Sequence, residues 1–506
     1  MSQTTPHVGT STSREATNDS SFRRRVVGLS ILALSGVFLL AGFEAKSASA
    51  MGLGFLACGL VGLMGFIHTL RQWRTRFSLS GVHADMILMW FGVGTFVSLT
   101  WGDPITLGVV LHRDFEGLAM AALLLVASAL ALRMVAFAEA RFWVPVMERI
   151  GTLKLFMPPP MFVFLVVVVV LVSFAVYSGE ISFRRIGTQG GQRISAFWSL
   201  VQVLGYGLAG YLGWALGAAS GRLRVLLITL FLAYLPTISL LVLGEGRRLM
   251  LVVTLIFVAA YLVGRGQAVS LRWIAWRALI GFIVLVFGFM VFNEQRNMRM
   301  SRVQMELDVT TLVQSVPRAS REVLDDLATA FEDQIENVTE RLFIIGYPQE
   351  LLMADNPVFG FGRGMAAEVL VAIPSALLPD KDELVEKLGG YGEMRNPDFG
   401  LPYPSDYANS VVTTAYMDFG WAAPLIVAAS VFAIGSLSAL LIRLISDPFF
   451  TFTALTLMLV VHLQVENSYA LITLGTLRTL IILAPISMLL HLWVSPARRA
   501  AREAYV

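Results

Sequence analysis

The amino-acid sequence predicts an all-α polytopic membrane protein with about twelve transmembrane helices. Of its 506 residues, 56% are hydrophobic and only 14% are charged, whereas soluble domains carry about a quarter of charged residues. Apolar runs recur along the chain at about 20 residues, the length that an α-helix needs to cross the hydrocarbon core. The apolar–polar alternation typical of a transmembrane β-barrel is missing.

Hydropathy gives the position of each predicted span along the chain. The twelve predicted spans cover approximately residues 26–45, 50–70, 82–101, 117–137, 159–178, 197–218, 224–243, 248–264, 274–292, 421–443, 448–465 and 471–493. Residues 1–25 form a polar tail that is predicted to be disordered, and residues 494–506 form a basic tail. The chain is therefore divided into a tail, nine helices over 26–292, a long segment over 293–420, three helices over 421–493 and a second tail.

The positive-inside rule orients these helices, because cytoplasmic loops carry the excess of Lys and Arg. If Arg23, Arg24 and Arg25 are cytoplasmic, the inner loops and the C-terminal tail hold Arg71, Arg74, Arg76, Arg141, Arg149, Lys154, Arg222, Arg224, Arg265, Arg272, Arg277, Arg498, Arg499 and Arg502. The short outer loops hold far fewer basic residues. Both termini of this multi-pass protein are therefore predicted to be cytoplasmic.

The segment over 293–420 is too long to be a simple connection, and it is predicted to form a periplasmic cap. Residues Arg318 to Phe343 are predicted to form an amphipathic helix with Pro317 in its first turn. Its predicted apolar face consists of Leu324, Leu327, Phe331, Ile335, Val338 and Leu342.

Several chemistries find no support in the sequence. Cys58 is the only cysteine and lies within an apolar span, which excludes disulfides and thiol catalysis. The six histidines are scattered without metal-ligand spacing, and His462 and His491 are predicted to be structural. No phosphate-binding loop and no G-x-S-x-G motif occurs. The sequence predicts no metal, no cofactor and no nucleic-acid partner.

Arginines on three outward turns oppose the orientation bias. The turns are GEGRR, FRRIGTQGGQR and NEQRNMRMSR, and they carry Arg247, Arg248, Arg184, Arg185, Arg193, Arg296 and Arg299. One interpretation is that each side chain extends separately toward lipid headgroups. The other is that they converge on an anion, since the planar guanidinium suits phosphate. A lipid diphosphate is the natural ligand, because its tail lies in the bilayer and its head lies at this depth.

Four segments together resemble the O-antigen polymerase and ligase superfamily, and in particular its Wzy-type oligosaccharide repeat-unit polymerases. LVLGEGRRLMLVV resembles a turn of small residues and Arg that starts a span, and ADNPVFGFGRGM resembles an Asn/His-Pro-x-x-Gly-x-Gly stretch of the large outer loop. AIPSALLPDKDEL resembles an Ile-Pro segment of the polymerases, and YANSVVTTAYMDFGWAAPLIV resembles their closing signature. The shared order covers about residues 240–445.

The chain departs from the ligases at one position. They place a histidine just before the residue that matches Asn409, whereas residues 405–408 here are Ser, Asp, Tyr and Ala, and the cap contains no histidine. The second glycine of the closing signature is Ala423. Polymerisation is therefore favoured over ligation, which stays an alternative.

The resemblance implies a GT-C-like, metal-independent, inverting glycosyltransferase. Its substrates would be polyprenyl-pyrophosphate-linked oligosaccharides, polymerised into O-antigen, capsule or exopolysaccharide. It also implies that the protein acts in a bacterial inner membrane, beside a flippase and a chain-length regulator, in lipopolysaccharide or exopolysaccharide biosynthesis.

Arg247 and Arg248 are the first candidates to stabilise the leaving pyrophosphate, followed by Arg296 and Arg299, which an amphipathic juxtamembrane helix would also explain. Arg184, Arg185 and Arg193 would guide the acceptor or headgroup. Asp406 is a candidate general base, although loop aspartates commonly serve turns. Glu245 competes for that role, and a salt bridge to a neighbouring arginine is its other interpretation.

The remaining candidates lie in or near the cap. Arg363 and Asn409 belong to the resembling segments. Tyr407 would join Tyr391, Phe399 and Tyr403 in a sugar-stacking rim, or these aromatics would form the core of the loop. Arg478 would pair with Glu466 or line the phosphate site, and Asp418 is predicted to cap the next helix.

Two other classes of function remain open. A flippase or transporter for lipid-linked oligosaccharide would also need many spans and phosphate-binding arginines. Internal repeats are typical of transporters, whereas the two halves of this chain differ sharply. A non-catalytic assembly factor would tolerate Arg247→Ala and Arg248→Ala.

Overall fold

The structure of the chain is a computed structural model. It describes residues 35–101, 115–180, 196–266, 286–294, 309–332, 345–401, 409–463 and 480–489, except positions 154, 156, 179, 246, 289, 292, 293, 331, 374–377, 446 and 482.

Helices account for the architecture of these ranges, and no strand occurs within them. In chain order the helices are α1 (Ser35–Glu44), α2 (Ala48–Arg71), α3 (Trp73–Arg76), α4 (Leu79–Trp101), α5 (Phe115–Thr152), α6 (Pro159–Tyr177), α7 (Ala196–Ala218), α8 (Gly221–Glu245), α9 (Arg247–Arg265), α10 (Val309–Asp325), α11 (Gly346–Leu352), α12 (Arg363–Ala372), α13 (Lys381–Lys387), α14 (Val411–Phe419), α15 (Ala423–Leu444) and α16 (Pro448–Leu463). Short 3-10 helices span Gly392–Phe399 and Gly420–Ala422.

Seven helices of the described ranges are long and apolar enough to cross a membrane, and three more are apolar but shorter. The chain is therefore an all-helical, multi-pass membrane protein, as the hydropathy pattern predicts. Helix α4 packs against α2, α5, α15 and α16, while α7 packs against α9 and α16. Helix α16 thus joins the two groups. The count of about twelve spans and the GT-C-like arrangement stay predictions.

Glycines form the seam between the antiparallel helices α2 and α4. Gly59 lies against Gly92 and Val93, and Gly62 lies against the backbone of Asp85 and Met89. Because lipid is as apolar as leucine, helices associate in a membrane through close backbone packing between small residues. The small residues of this seam therefore hold the first hairpin together.

Gly92→Ala is expected to weaken this hairpin. An added Cβ would lie 2.6 Å from the carbonyl oxygen of Phe55 and 2.8 Å from the Cα of Gly59, so the two backbones must separate. Overpacking of this kind costs about 1–3 kcal/mol. The thermal unfolding midpoint of the detergent-solubilised protein should fall, whereas Gly36→Ala should leave it unchanged because no atom lies within 4 Å of that added Cβ. Equal midpoints for both variants would contradict the seam.

Helix α5 is longer than the predicted span over 117–137, because it continues to Thr152. Hydropathy ends the span where charged residues appear, but Trp143, Val146, Met147 and Ile150 remain buried at helical spacing. This extension brings Glu139 to the start of α4. Its carboxylate accepts the backbone N–H of Leu79 at 2.7 Å and of Ser80 at 2.9 Å, which satisfies amides that the first turn of a helix leaves without partners.

Helices α5 and α15 pack side by side. Hydrogen bonds join them near their C-termini, and the N-terminal end of α5 packs against α11. Near their C-termini, Arg149 donates to the carbonyl oxygens of Ile442 at 2.9 Å and Arg443 at 3.2 Å. Arg443 donates to the carbonyl oxygen of Phe142 at 2.6 Å. The carbonyl oxygen of Arg443, in the last turn of α15, thereby gains a partner. At the other end of α5, Gly117 lies against the side chains of Gln349 in α11 and of Met353, the residue that follows α11.

The predicted amphipathic helix differs from the structure in start and face. Helix α10 begins at Val309, so Pro317 lies in its interior and not in its first turn. Leu324 and Leu327, two members of the predicted apolar face, are 63% and 51% exposed. The buried side chains are Ala319 and Val323, which pack with Met290 and Val291. The partner segment therefore selects a face that the spacing of leucines did not indicate. The other residues of the predicted face lie outside the described residues.

Candidate functional site in the cap core

The described part of the cap is organised around a buried ion pair between Arg395 and Asp418. We call residues 345–401 together with α14 the cap core. Nη1 of Arg395 donates to Oδ1 of Asp418 at 2.5 Å, and the two side chains are 4% and 0% exposed. Nε of Arg395 donates to Asp398 at 3.1 Å. Its Nη2 donates to the carbonyl oxygens of Val358 at 3.3 Å and Met417 at 3.4 Å. The guanidinium is therefore surrounded by acceptors.

Asp418 also binds the first turn of α12. Its Oδ1 accepts the backbone N–H of Gly364 at 3.1 Å, and its Oδ2 accepts that of Met365 at 2.8 Å. Helix N-termini carry unpaired amides and partial positive charge, so a carboxylate is stabilised there. The prediction that Asp418 caps the next helix is wrong, because the residue lies inside α14 and caps α12, whose sequence is more than 50 residues distant.

The glycine-rich loop Gly360-Phe361-Gly362-Arg363-Gly364 wraps this ion pair. A Cβ at Gly364 would lie 2.8 Å from Nη1 of Arg395 and 3.1 Å from Oδ1 of Asp418. Gly362 has a φ of +90°, which favours glycine. The loop therefore approaches an internal carboxylate–guanidinium pair through glycines, much as other glycine loops approach a phosphate.

A second set of hydrogen bonds surrounds Asn409. Its side-chain oxygen accepts from the hydroxyl groups of Thr413 at 2.6 Å and Thr414 at 3.3 Å. The Thr414 hydroxyl also lies 3.1 Å from the carboxylate of the buried Glu368, so its single proton is shared between the Glu368 and Asn409 oxygens. Ser410 and Thr413 form a capping box at the start of α14. Asn409 thus lies where α14, α12 and the 3-10 helix Gly392–Phe399 meet.

Aromatic rings fill the space between the loop and α15. Phe359 packs edge-on against Phe399 and Tyr416, each at 5.9 Å between ring centroids. Tyr416 packs edge-on against Trp421. Phe399 is only 3% exposed. It therefore belongs to the core of the cap segment and not to an exposed sugar-stacking rim. Tyr403 and Tyr407 lie outside the described residues.

The structure places only part of the predicted phosphate site. Arg247 and Arg248 are the first two residues of α9, and Glu245 is the last residue of α8, so a single position separates these two long apolar helices. The side chains of these three residues are not among those described. Arg363 is exposed at the start of α12. The other candidates lie outside the described residues: Arg184, Arg185, Arg193, Arg296, Arg299, Asp406, Tyr407 and Arg478.

Sequence reasoning missed Arg395 and Glu368, and it gave Asp418 a different partner. Single charged residues that lie 23 positions apart carry no periodic signal. The glycines of the loop were the available sign, because closely spaced glycines indicate a close approach of backbone to some group. Among the described residues, no group of three His, Cys, Asp or Glu side chains could hold a metal ion.

Charged and imidazole side chains also lie within the apolar helices. Arg133 of α5 forms an ion pair with Asp85 of α4. Nδ1 of His83 lies 3.3 Å from the carbonyl oxygen of His462, and the two imidazole rings pack edge-on at 5.6 Å. Both ring nitrogens of His462 lack a hydrogen-bond partner within the described part of the chain. Ionisable residues are costly in a membrane and commonly mark functional pathways.

The chain matches no protein-family model, no curated protein sequence and no solved structure. The resemblance of its four segments to the repeat-unit polymerases accordingly stays a prediction.

Proposed function

We propose that the chain is a membrane glycosyltransferase that polymerises polyprenyl-pyrophosphate-linked oligosaccharides on the periplasmic face of the inner membrane. One observation carries the proposal. The segments ADNPVFGFGRGM and MDFGW, which resemble the polymerases separately, meet at the Arg395–Asp418 ion pair. Segments that resemble one family at two places, and that fold into one unit beside a spanning helix, support a shared role.

The proposed reaction joins two lipid-linked glycans. A sugar hydroxyl oxygen of the acceptor attacks the anomeric carbon of the donor and forms the new glycosidic bond. The bond from that carbon to the diphosphate oxygen breaks, and its electron pair leaves with the polyprenyl diphosphate. The hydroxyl proton passes to a base, for which Asp406 is the candidate. Because diphosphate is a good leaving group, positioning and charge stabilisation are the main tasks of the protein.

In this proposal Arg247 and Arg248 stabilise the charge of the departing diphosphate. They begin α9 directly after the end of α8, and side chains on rigid helix ends are positioned more precisely than side chains on loops. Guanidinium groups bind diphosphate through paired hydrogen bonds. The cap core would then hold the glycan above this turn.

The test is reconstitution of the purified full-length protein with lipid-linked repeat units. A ladder of lengthened glycans with release of polyprenyl diphosphate is expected. Transfer of glycan to lipid A core in place of a ladder would identify a ligase. Unchanged substrate under conditions where the protein remains folded would contradict the proposal.

A transporter of lipid-linked oligosaccharide is the second candidate, favoured by the Arg133–Asp85 pair and the His83–His462 pair in the apolar helices. Asp85→Asn separates the two functions. If the chain is a polymerase, the variant should keep its ladder in proportion to the folded protein. If it is a transporter, the variant should lose movement of labelled lipid across vesicles, and the native protein should move lipid without lengthening it.

A further inference from the structure

One aromatic residue of the glycine-rich loop is held outward in an unfavourable backbone conformation. Phe361 has a φ of +50°, and 79% of its surface is exposed. The left-handed region disfavours residues with a Cβ, and for a bulky side chain such a φ is an outlier. Val358, two residues before this loop, is 61% exposed. The loop and the residues that lead into it therefore present two large apolar side chains outward.

Backbone hydrogen bonds fix this loop onto the helix that leads into the membrane. The N–H of Phe361 donates to the carbonyl oxygen of Asp418 at 2.9 Å, and that of Gly360 donates to Met417 at 3.0 Å. The ring of Phe359 packs inward against Tyr416. The outward direction of the Phe361 side chain is thus imposed by a rigid attachment, and strain that the surroundings maintain commonly marks a functional position.

The attachment lies in α14, shortly before α15 begins at Ala423. Trp421 is 50% exposed and Leu425 is 70% exposed. Leu437, Leu440 and Leu444 continue the exposed apolar side of the same helix. Helix α15 belongs to one of the candidate spans, and tryptophan is enriched at membrane–water interfaces. The backbone of Phe361 is bonded only three residues before this tryptophan.

We infer that the segment over residues 358–363 lies in the lipid interface, with Phe361 and Val358 among the acyl chains and Arg363 at the level of the lipid phosphates. This surface continues the lipid-facing side of α15 onto the cap core. Arg363 is exposed and follows Phe361 by two residues, which is the arrangement of an apolar anchor beside a basic side chain that reaches the headgroups. The inference does not depend on the reaction that the protein catalyses.

Spin labels measure the depth of these positions in the full chain. Cys58, which is buried, is replaced by alanine, and single cysteines carry a nitroxide in Phe361→Cys, Val358→Cys, Leu425→Cys and Lys387→Cys. The proteins are reconstituted in vesicles of phosphatidylethanolamine and phosphatidylglycerol. Relaxation by oxygen, which concentrates in hydrocarbon, is compared with relaxation by a water-soluble nickel chelate.

Labels at 361 and 358 should resemble the label at 425, with stronger relaxation by oxygen than by nickel. The label at 387 should show the reverse, because the Lys387 side chain is 66% exposed on a polar helix of the same cap core. Val358→Cys leaves the strained residue intact and provides the answer should Phe361→Cys fold poorly. Nickel-dominated relaxation at 358 would overturn the inference, as would the same result at 361 in a folded protein.

Discussion

Arg395→Ala is expected to open the cap core. The substitution leaves the Asp418 carboxylate buried at 0% exposure without its guanidinium partner, and breaking a buried pair by removing one member costs about 3–5 kcal/mol. The rate of limited proteolysis follows the population of the open form when opening is fast. Cleavage within residues 345–401 should therefore accelerate at least about a hundredfold in the full-length, detergent-solubilised protein.

Two controls make this result specific. Arg363→Ala removes an exposed arginine from the same unit and should leave the cleavage rate nearly unchanged. The double variant Arg395→Met with Asp418→Asn removes both charges, while the amide oxygen can still accept an N–H of α12. It should be cleaved more slowly than Arg395→Ala alone. Native cleavage rates in Arg395→Ala would show that the pair does not hold the cap core.

If the chain is the proposed polymerase, Arg247→Ala and Arg248→Ala are each expected to slow polymerisation. Removing one well-placed donor to developing charge costs on the order of 3 kcal/mol, or about a hundredfold in rate. Arg247→Lys should fall between the native protein and the alanine variant, because an ammonium keeps the charge but not the planar fork. The measurement is the initial rate of ladder formation by reconstituted protein, normalised to the folded fraction.

Arg222→Ala is the matched control for both variants. Arg222 lies exposed near the start of α8, at the opposite end of the hairpin whose turn carries Arg247 and Arg248. Its loss should leave the rate unchanged. Full-length chains made at the native rate by the double Arg247→Ala, Arg248→Ala variant would remove both residues from the site and favour the assembly-factor alternative.

The positions of most long apolar helices along the chain could be predicted from the sequence. Apolar runs of spanning length mark α2, α4, α6, α7 and α8, because the bilayer imposes one length and one composition on every span. The full length of α5 could not be predicted in this way. The continuous apolar run ends near residue 137, whereas the helix continues to Thr152 because neighbouring elements bury Trp143 and Ile150.

The face of α10 and the partner of Asp418 escaped prediction for a common reason. Each depends on a segment distant in the chain: Met290 and Val291 for α10, and Gly364 and Met365 for Asp418. The periodicity of apolar residues indicates which face a helix could bury, but it does not indicate which distant segment packs against that helix. The arginine turn, in contrast, was found through charge that opposes the orientation rule, and the convergence of its side chains stays a prediction.

The paired helices α5 and α15 have a mechanical consequence. Asp418, five positions before the first residue of α15, is hydrogen-bonded within the cap core, and Gly117 near the beginning of α5 packs against the cap core. At their far ends, Arg149 and Arg443 clasp the same two helices. Packed helices shift as rigid bodies. A tilt of the cap core would therefore be transmitted along α5 and α15 to the ends where Arg149 and Arg443 lie.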